Sequence, residues 1–208
     1  MEPKGIGRVT LFAVIVYLGV IDGQLLPNMR AAAQVSASTD SRNLPLEIEV
    51  LLLRFDNPHG IVYSGKKCDF FWWGCDIKAL GYIDVEKPYD DWPGSRELLP
   101  SDYFWYRGEE SSPKFNHIFR KTICDTNSFK AGNLRVNLMD VDGGLRGADD
   151  FINNFNCIFT KVPNIADSAI SAGWSKEIPC DAMYSNPLMG MVFKYRMYRK
   201  SSRDGCPA

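Results

Sequence analysis

At 208 residues, with 24 Lys and Arg against 25 Asp and Glu, the chain is nearly neutral, which argues against a general nucleic-acid binder. Its apolar content of 45% suffices for a real core, and its six cysteines without a C-x-x-C pair point to disulfides rather than a zinc site. The only histidines, His59 and His117, stand at no ligand-like spacing from those cysteines.

Lys4 and Arg8 open the chain ahead of an uncharged apolar run from Val9 to Ile21. That run is too short for a comfortable bilayer span and suits a signal peptide over residues 1–23, with a buried strand or an uncleaved anchor as the alternative. Residues 24–44 read as a flexible lead-in, because Met29 to Asn43 is small and polar with no aromatic to bury. No later segment is long and apolar enough to cross a membrane, so a secreted chain with no mature transmembrane span is expected. Residues 45–208 have the size of one ordinary domain.

Within that domain, period-two patterns dominate. "LEIEVLLLRF" puts Leu46, Ile48 and Val50 on one face and Glu47 and Glu49 on the other. "KKCDFFWWGCDIK" follows as a second strand, with Cys68, Phe70 and Trp72 facing one way and Asp69, Phe71, Trp73 and Cys75 the other. An odd separation sends the two cysteines to opposite faces, so they are not expected to pair unless Gly74 bulges the chain. Fifteen full pairings of Cys68, Cys75, Cys124, Cys157, Cys180 and Cys206 remain open.

"KALGYIDV" and "NHIFRKTIC" read as further strands, while "DYFWYRGEE" is a strand or an aromatic-tipped loop. "NLRVNLMDV" aligns Leu134, Val136 and Leu138 against Arg135 and Asn137, "FINNFNCIF" follows, and Asn164 to Ser175 has room for one short helix. "MVFKYRMY" sets Met191, Phe193, Tyr195 and Met197 against Lys194 and Arg196. Turn signals separate these runs at Asn57-Pro58, Ser64-Gly65, Trp92-Pro93-Gly94, Asp142-Gly143-Gly144 and Asn186-Pro187. About eight short strands without an amphipathic helix predict an all-β antiparallel sandwich supported by disulfides.

No nucleophile elbow, phosphate loop or zinc helix is present, so an enzyme is not expected. The chemically rich segment is "MDVDGGLRGADDFI". Asp140 and Asp142 end one strand, and Asp149 and Asp150 precede the next apolar run. Clustered carboxylates of this kind suit calcium, which takes oxygen ligands from loops, or else form a solvated acidic hairpin. A basic last strand with Lys194, Arg196, Arg199, Lys200 and Arg203 could meet lipid headgroups or a sulfated glycan, or simply keep an edge soluble.

"LRVNLMDVDGGLRGADDFI" resembles the strand, loop and strand of C2 domains, and that resemblance implies metal carboxylates at Asp140, Asp142 and Asp150, with Asp56 and Asp69 as first-loop counterparts. "LEIEVLLLRFDNPHGIVYSGKKCDFFWWGC" resembles the opening of the C2-like N-terminal domain of Notch ligands of the Delta, Serrate and Jagged type. The residues that carry it are Phe55, Asn57, Gly60, Gly65, Cys68, Asp69, Phe70, Phe71 and Cys75, and the likeness extends to Trp174 and Cys206. In that family a cysteine-rich receptor-binding module and EGF repeats follow. The sequence to Ala208 contains neither, leaving a fragment or a free-standing domain as alternatives. The resemblance implies Notch pathway signalling, with a Notch-type receptor ectodomain or a phospholipid surface as partner and calcium as the cofactor. Trp72, Trp73, Lys194 and Arg196 are the expected lipid- or partner-binding residues. The alternatives are an unrelated secreted C2 domain that docks on membranes, and a metal-free structural or matrix module.

Overall fold

A computed structural model describes residues 44–69, 74–142 and 148–206. The expected signal peptide and nearly all of the lead-in lie outside these residues, as do Phe70 to Trp73 and Gly143 to Gly147. Nine strands form among the described residues: β1 (Leu46–Asp56), β2 (Ile77–Asp84), β3 (Tyr103–Arg107), β4 (His117–Ile123), β5 (Ala131–Asp140), β6 (Asp150–Thr160), β7 (Ile178–Pro179), β8 (Asp181–Ala182) and β9 (Gly190–Arg199). They build two antiparallel sheets, ordered β4-β1-β9-β7 and β3-β2-β5-β6-β8. The architecture is the expected β-sandwich with one strand more than the expected eight, two of the nine being only two residues long.

The alternation read from sequence sets the core. Leu46, Ile48, Val50 and Leu52 of β1 meet Leu134, Val136 and Leu138 of β5 between the sheets, with Ile152, Phe155, Met191 and Phe193 filling the layer. Each large apolar side chain buried there contributes about 1.5–3 kcal/mol. Phe55 of one sheet and Phe155 of the other meet edge to face, with ring centroids 5.6 Å apart.

Three expectations change. Arg135, expected to face solvent, is fully buried on the outer side of β5, because residues 85–99 fold over it. Its Nε donates to Asp84 Oδ2 at 3.0 Å, its Nη1 to Asn156 Oδ1 at 3.0 Å, and its Nη2 to the carbonyls of Lys87 and Asp90 at 2.7 and 2.9 Å. Glu47 and Glu49 are likewise covered rather than solvated: Glu49 accepts from Arg120 and Arg196, and Glu47 from Thr122. Residues 164–175 form turns and no helix, with Ala166 bridging to Tyr198 and capping the sheet through the Arg199 amide.

All six cysteines are paired. Cys124–Cys206 ties the chain end to the end of β4, and Cys157–Cys180 ties β6 to the β7–β8 corner. Cys68–Cys75 is also bonded, across a sequence separation of 7. That bond overturns the straight second strand: residues on either side of the aromatic run are loop, so strand parity does not govern where the sulfurs point.

Candidate functional site

The register places four loops at one end of the sandwich. Asp56 of β1 lies opposite Gly190 of β9, Leu52 opposite His117 of β4, and Ile77 of β2 opposite both Arg107 of β3 and Asp140 of β5, which in turn faces Asp150 of β6. The described parts of segments 57–76, 108–116, 141–149 and 183–189 therefore converge there.

The first of these segments is built by Asn57, whose buried side chain closes a turn. Its Nδ2 donates to the Ile61 carbonyl at 2.9 Å and its Oδ1 accepts the Ile61 amide at 3.2 Å. A tight turn follows, with the Val62 amide donating to the Lys66 carbonyl at 2.8 Å and Gly65 in the left-handed region at φ 83°. The returning arm reaches the Cys68–Cys75 bond. Cys75 is then held by Ser111, whose Oγ accepts its amide at 2.9 Å, and by the Glu110 amide, which donates to its carbonyl at 3.1 Å.

This anchoring delivers Asp76 against Asp140. The Asp76 amide donates to Asp140 Oδ1 at 2.5 Å, and the Val141 amide donates to the Asp76 carbonyl at 2.9 Å. Asp76 Oδ1 accepts the Glu109 amide at 2.7 Å. Asp140 is only 1% exposed, and its Oδ2 is buried without a hydrogen-bond partner among the described residues. Burial pushes its carboxyl up to about 6, the Asp76 amide works against that, and the charges of Asp69, Asp142 and Asp76 add to the rise.

Asp69 and Asp150 line a cleft of about 610 Å³ together with Lys66, Lys67, Tyr63 and Phe151, among others. Asp149 stands aside, 3.8 Å from Lys78 Nζ. The sulfurs of Cys68 and Cys75 come within 4.8 Å of an Asp140 carboxylate oxygen. Being bonded to each other, they wall the cluster and are not thiolate ligands.

Asp140, Asp142 and Asp69 thus come together, and Asp150 joins them across the β5–β6 ladder. Asp56 is placed otherwise: it sits on the opposing sheet and takes Arg54 Nε at 3.1 Å. Sequence reasoning missed Asp76, which stands directly after Cys75 and beside a bond not expected unless Gly74 bulges the chain. Trp72 and Trp73 lie outside the described residues. Lys194 and Arg196 do not offer a free basic face. Arg196 is bound to Glu49 Oε2 through Nη2 at 2.6 Å, donates to the Ala169 carbonyl at 3.0 Å, and stacks over Trp174 at 4.5 Å. Lys194 Nζ lies 3.7 Å from Glu177. On β9, with strands on both sides, these cations serve the acids beside them.

The fit to calcium can be judged from the donors. The charges of Asp69, Asp142 and Asp76 bear on Asp140, which also carries an orphaned buried oxygen among the described residues. A hard dication with oxygen ligands would satisfy both the repulsion and the orphan. Asp140 and the acids whose charge reaches it, Asp69, Asp76 and Asp142, are the residues that would hold it, with Asp150 opposite in the ladder. Among the described residues no three of these carboxylates bring oxygens within 4.8 Å of one another, so an ion would have to draw them in.

No protein-family profile matches the chain, and comparison with curated proteins gave no match. Among solved structures, the chain is similar to a C2 domain protein from Ramazzottius varieornatus, at 26% identity and a TM-score of 0.67 over 80% of this chain and 95% of that one. It is also similar to human GIVD cytosolic phospholipase A2, at 13% identity and a TM-score of 0.46 over 77% of this chain and 17% of that one. A third is the Drosophila C2-DSL-EGF1 structure, at 13% identity and a TM-score of 0.39 over 75% and 68%. The two-sheet architecture and the first of these likenesses define the class: this is a C2-like domain.

Proposed function

We propose that the chain is an extracellular binding module, not an enzyme, whose acidic loop end takes up calcium and docks on a phospholipid surface. The observation that carries this is the buried Asp140 oxygen, unpartnered among the described residues, beside the charges of Asp69, Asp142 and Asp76 on the loop end of a C2-like sandwich. Bound calcium would supply the positive charge that lets so acidic an end approach a lipid phosphate. The chain's own residues do the rest. The Cys68–Cys75 bond and Ser111 hold Asp76 in place, Lys66 and Lys67 add cations at the cleft, and Tyr63, Met183, Tyr184 and Leu188 expose apolar surface on the same loops. Apolar side chains presented beside charged groups suit a membrane interface. Three disulfides fit an oxidising compartment outside the cytosol, and no helix among the described residues is long and apolar enough to cross a membrane.

The resemblance to Notch-ligand N-terminal domains adds a second partner. The residues that carry it, Asn57, Gly60, Gly65, Cys68, Asp69 and Cys75, build the wall of this site. A Notch-type receptor ectodomain is therefore the protein partner to test, in Notch pathway signalling.

The deciding experiment is liposome co-sedimentation across a calcium titration, with the Asp140→Asn/Asp142→Asn double variant alongside. Calcium-dependent pelleting that the variant loses is the expected result. Folded protein that neither binds calcium at millimolar concentration nor pellets would sink the membrane proposal, and pull-down with the receptor ectodomain tests the other arm.

A further inference from the structure

The cleft beside the carboxylates contains more than a metal site needs. Tyr63, Phe151 and Tyr184 come together from three separate segments, with ring centroids 5.5 Å apart for Tyr63–Phe151, 4.7 Å for Tyr63–Tyr184 and 6.0 Å for Phe151–Tyr184. Were this only packing, the rings would be expected to close off. Instead Tyr63 and Tyr184 remain 42% and 43% exposed, and Tyr63 and Phe151 line the cleft. Lys66 and Lys67 stand on the same lining; Lys67 Nζ spends one of its donors on the His59 carbonyl.

Electron-rich ring faces attract a cation, and most readily one that brings no N–H groups demanding hydrogen bonds. A quaternary ammonium meets that description. The lysine ammoniums attract the opposite charge, a phosphate. One ligand class joins the two through a short linker. We propose that this cleft reads the phosphocholine headgroup of a membrane lipid, with the Tyr63, Phe151 and Tyr184 rings taking the trimethylammonium and Lys66 and Lys67 taking the phosphate. The inference rests on the phospholipid proposal above and names its headgroup. It also carries a discrimination. A protonated ammonium, as in a serine headgroup, is more strongly hydrated than a trimethylammonium and gains less from ring faces, which offer no acceptor for its N–H groups.

The test uses the whole chain on vesicles of phosphatidylcholine and of phosphatidylserine, with and without millimolar calcium, and free phosphocholine as competitor. Preference for phosphatidylcholine, reversed by free phosphocholine, is expected. Tyr63→Leu and Tyr184→Leu should each weaken phosphatidylcholine binding by about 3- to 30-fold and phosphatidylserine binding distinctly less, since leucine keeps the apolar docking surface but not the ring, with Tyr63→Phe close to wild type. Calcium-dependent pelleting without headgroup preference, or with the leucine variants indistinguishable from wild type, overturns the inference while the calcium-dependent docking stands. Absence of pelleting on every vesicle by folded protein overturns both.

Discussion

The amide of Asp76 donates to Asp140 Oδ1 at 2.5 Å, so the loop that leads from β1 into β2 is tied to the end of the neighbouring strand β5 through that carboxylate. The other oxygen of that carboxylate is left buried and unpartnered among the described residues. Stability and binding are therefore opposed at this residue, and the first prediction follows from that opposition.

Burial, then the neighbouring carboxylates, raise Asp140 from 3.8 to about 6 against the pull of the Asp76 amide. The folded chain holds this proton more tightly than the unfolded chain, so its contribution to stability is complete below the ordinary carboxylate range and is lost as pH rises through about 6. The loss is on the order of 3 kcal/mol in calcium-free protein. Thermal melts in chelator should thus show a higher Tm at pH 5 than at pH 7, and Asp140→Asn should flatten that dependence. With calcium present the sign reverses: protons compete for the same oxygens, so affinity measured by calorimetry should fall below pH 6.

Arg135 and Asp84 form a fully buried pair. Burial works to raise the Asp84 carboxyl, but the Lys87 and Ser95 amides, Ser95's side chain and Arg135 outweigh it and hold Asp84 below its usual range. Asp84→Ala should cost about 3–5 kcal/mol in denaturant unfolding, because it strands a buried guanidinium. A stability equal to wild type would show that residues 85–99 open readily and let water in.

Gly94 lies on top of the same pair at φ 84°, and a Cβ there would stand 2.2 Å from both Arg135 Nε and Asp84 Oδ2. Gly94→Ala should therefore destabilise by more than the roughly 1 kcal/mol of an ordinary glycine substitution, read as a drop in Tm. An Arg135→Met background should relieve part of the penalty.

Cysteine removal should separate fold from site. Cys124–Cys206 closes 82 residues and Cys68–Cys75 only 7, so loop-closure entropy assigns them about 4–5 and about 2–3 kcal/mol respectively. Cys124→Ser/Cys206→Ser should lower the Tm more. Cys68→Ser/Cys75→Ser should do the greater harm to calcium and vesicle binding, because Asp69 and Asp76 flank that bond.

Arg196→Gln should weaken the fold, since it leaves the buried Glu49 with only Arg120 of its two ion-pair partners. Vesicle binding by the surviving folded protein should be unaltered. Lost docking at unchanged stability would restore the basic strand as a lipid-facing surface.

Much of the fold was legible because burial in a sandwich imposes period two. Leu46, Ile48 and Val50, Leu134, Val136 and Leu138, and Met191, Phe193 and Met197 all point inward as alternation predicts. The same rule misplaced Arg135, Glu47 and Glu49. Parity says which residues leave the core, but says nothing of whether a distant segment or a neighbouring strand's arginine then covers them.

The site divides in the same way. Local spacing was enough to single out Asp140, Asp142 and Asp150, because a carboxylate cluster on a glycine-rich loop is unusual chemistry whatever the surroundings. Asp76 and the pairing of Cys68 with Cys75 were decided only by the tertiary structure. A loop anchored by Asn57 and Ser111 brings its ends together irrespective of strand parity, and only then does Asp76 meet Asp140. The sequence by itself determined the sandwich, its cysteine content and its acidic loop, since these depend on residue type and short-range order. Which acids share a charge, which cations are already engaged, and which rings face the cleft depend on contacts between residues far apart in the chain, and those exist only once the sheets have packed.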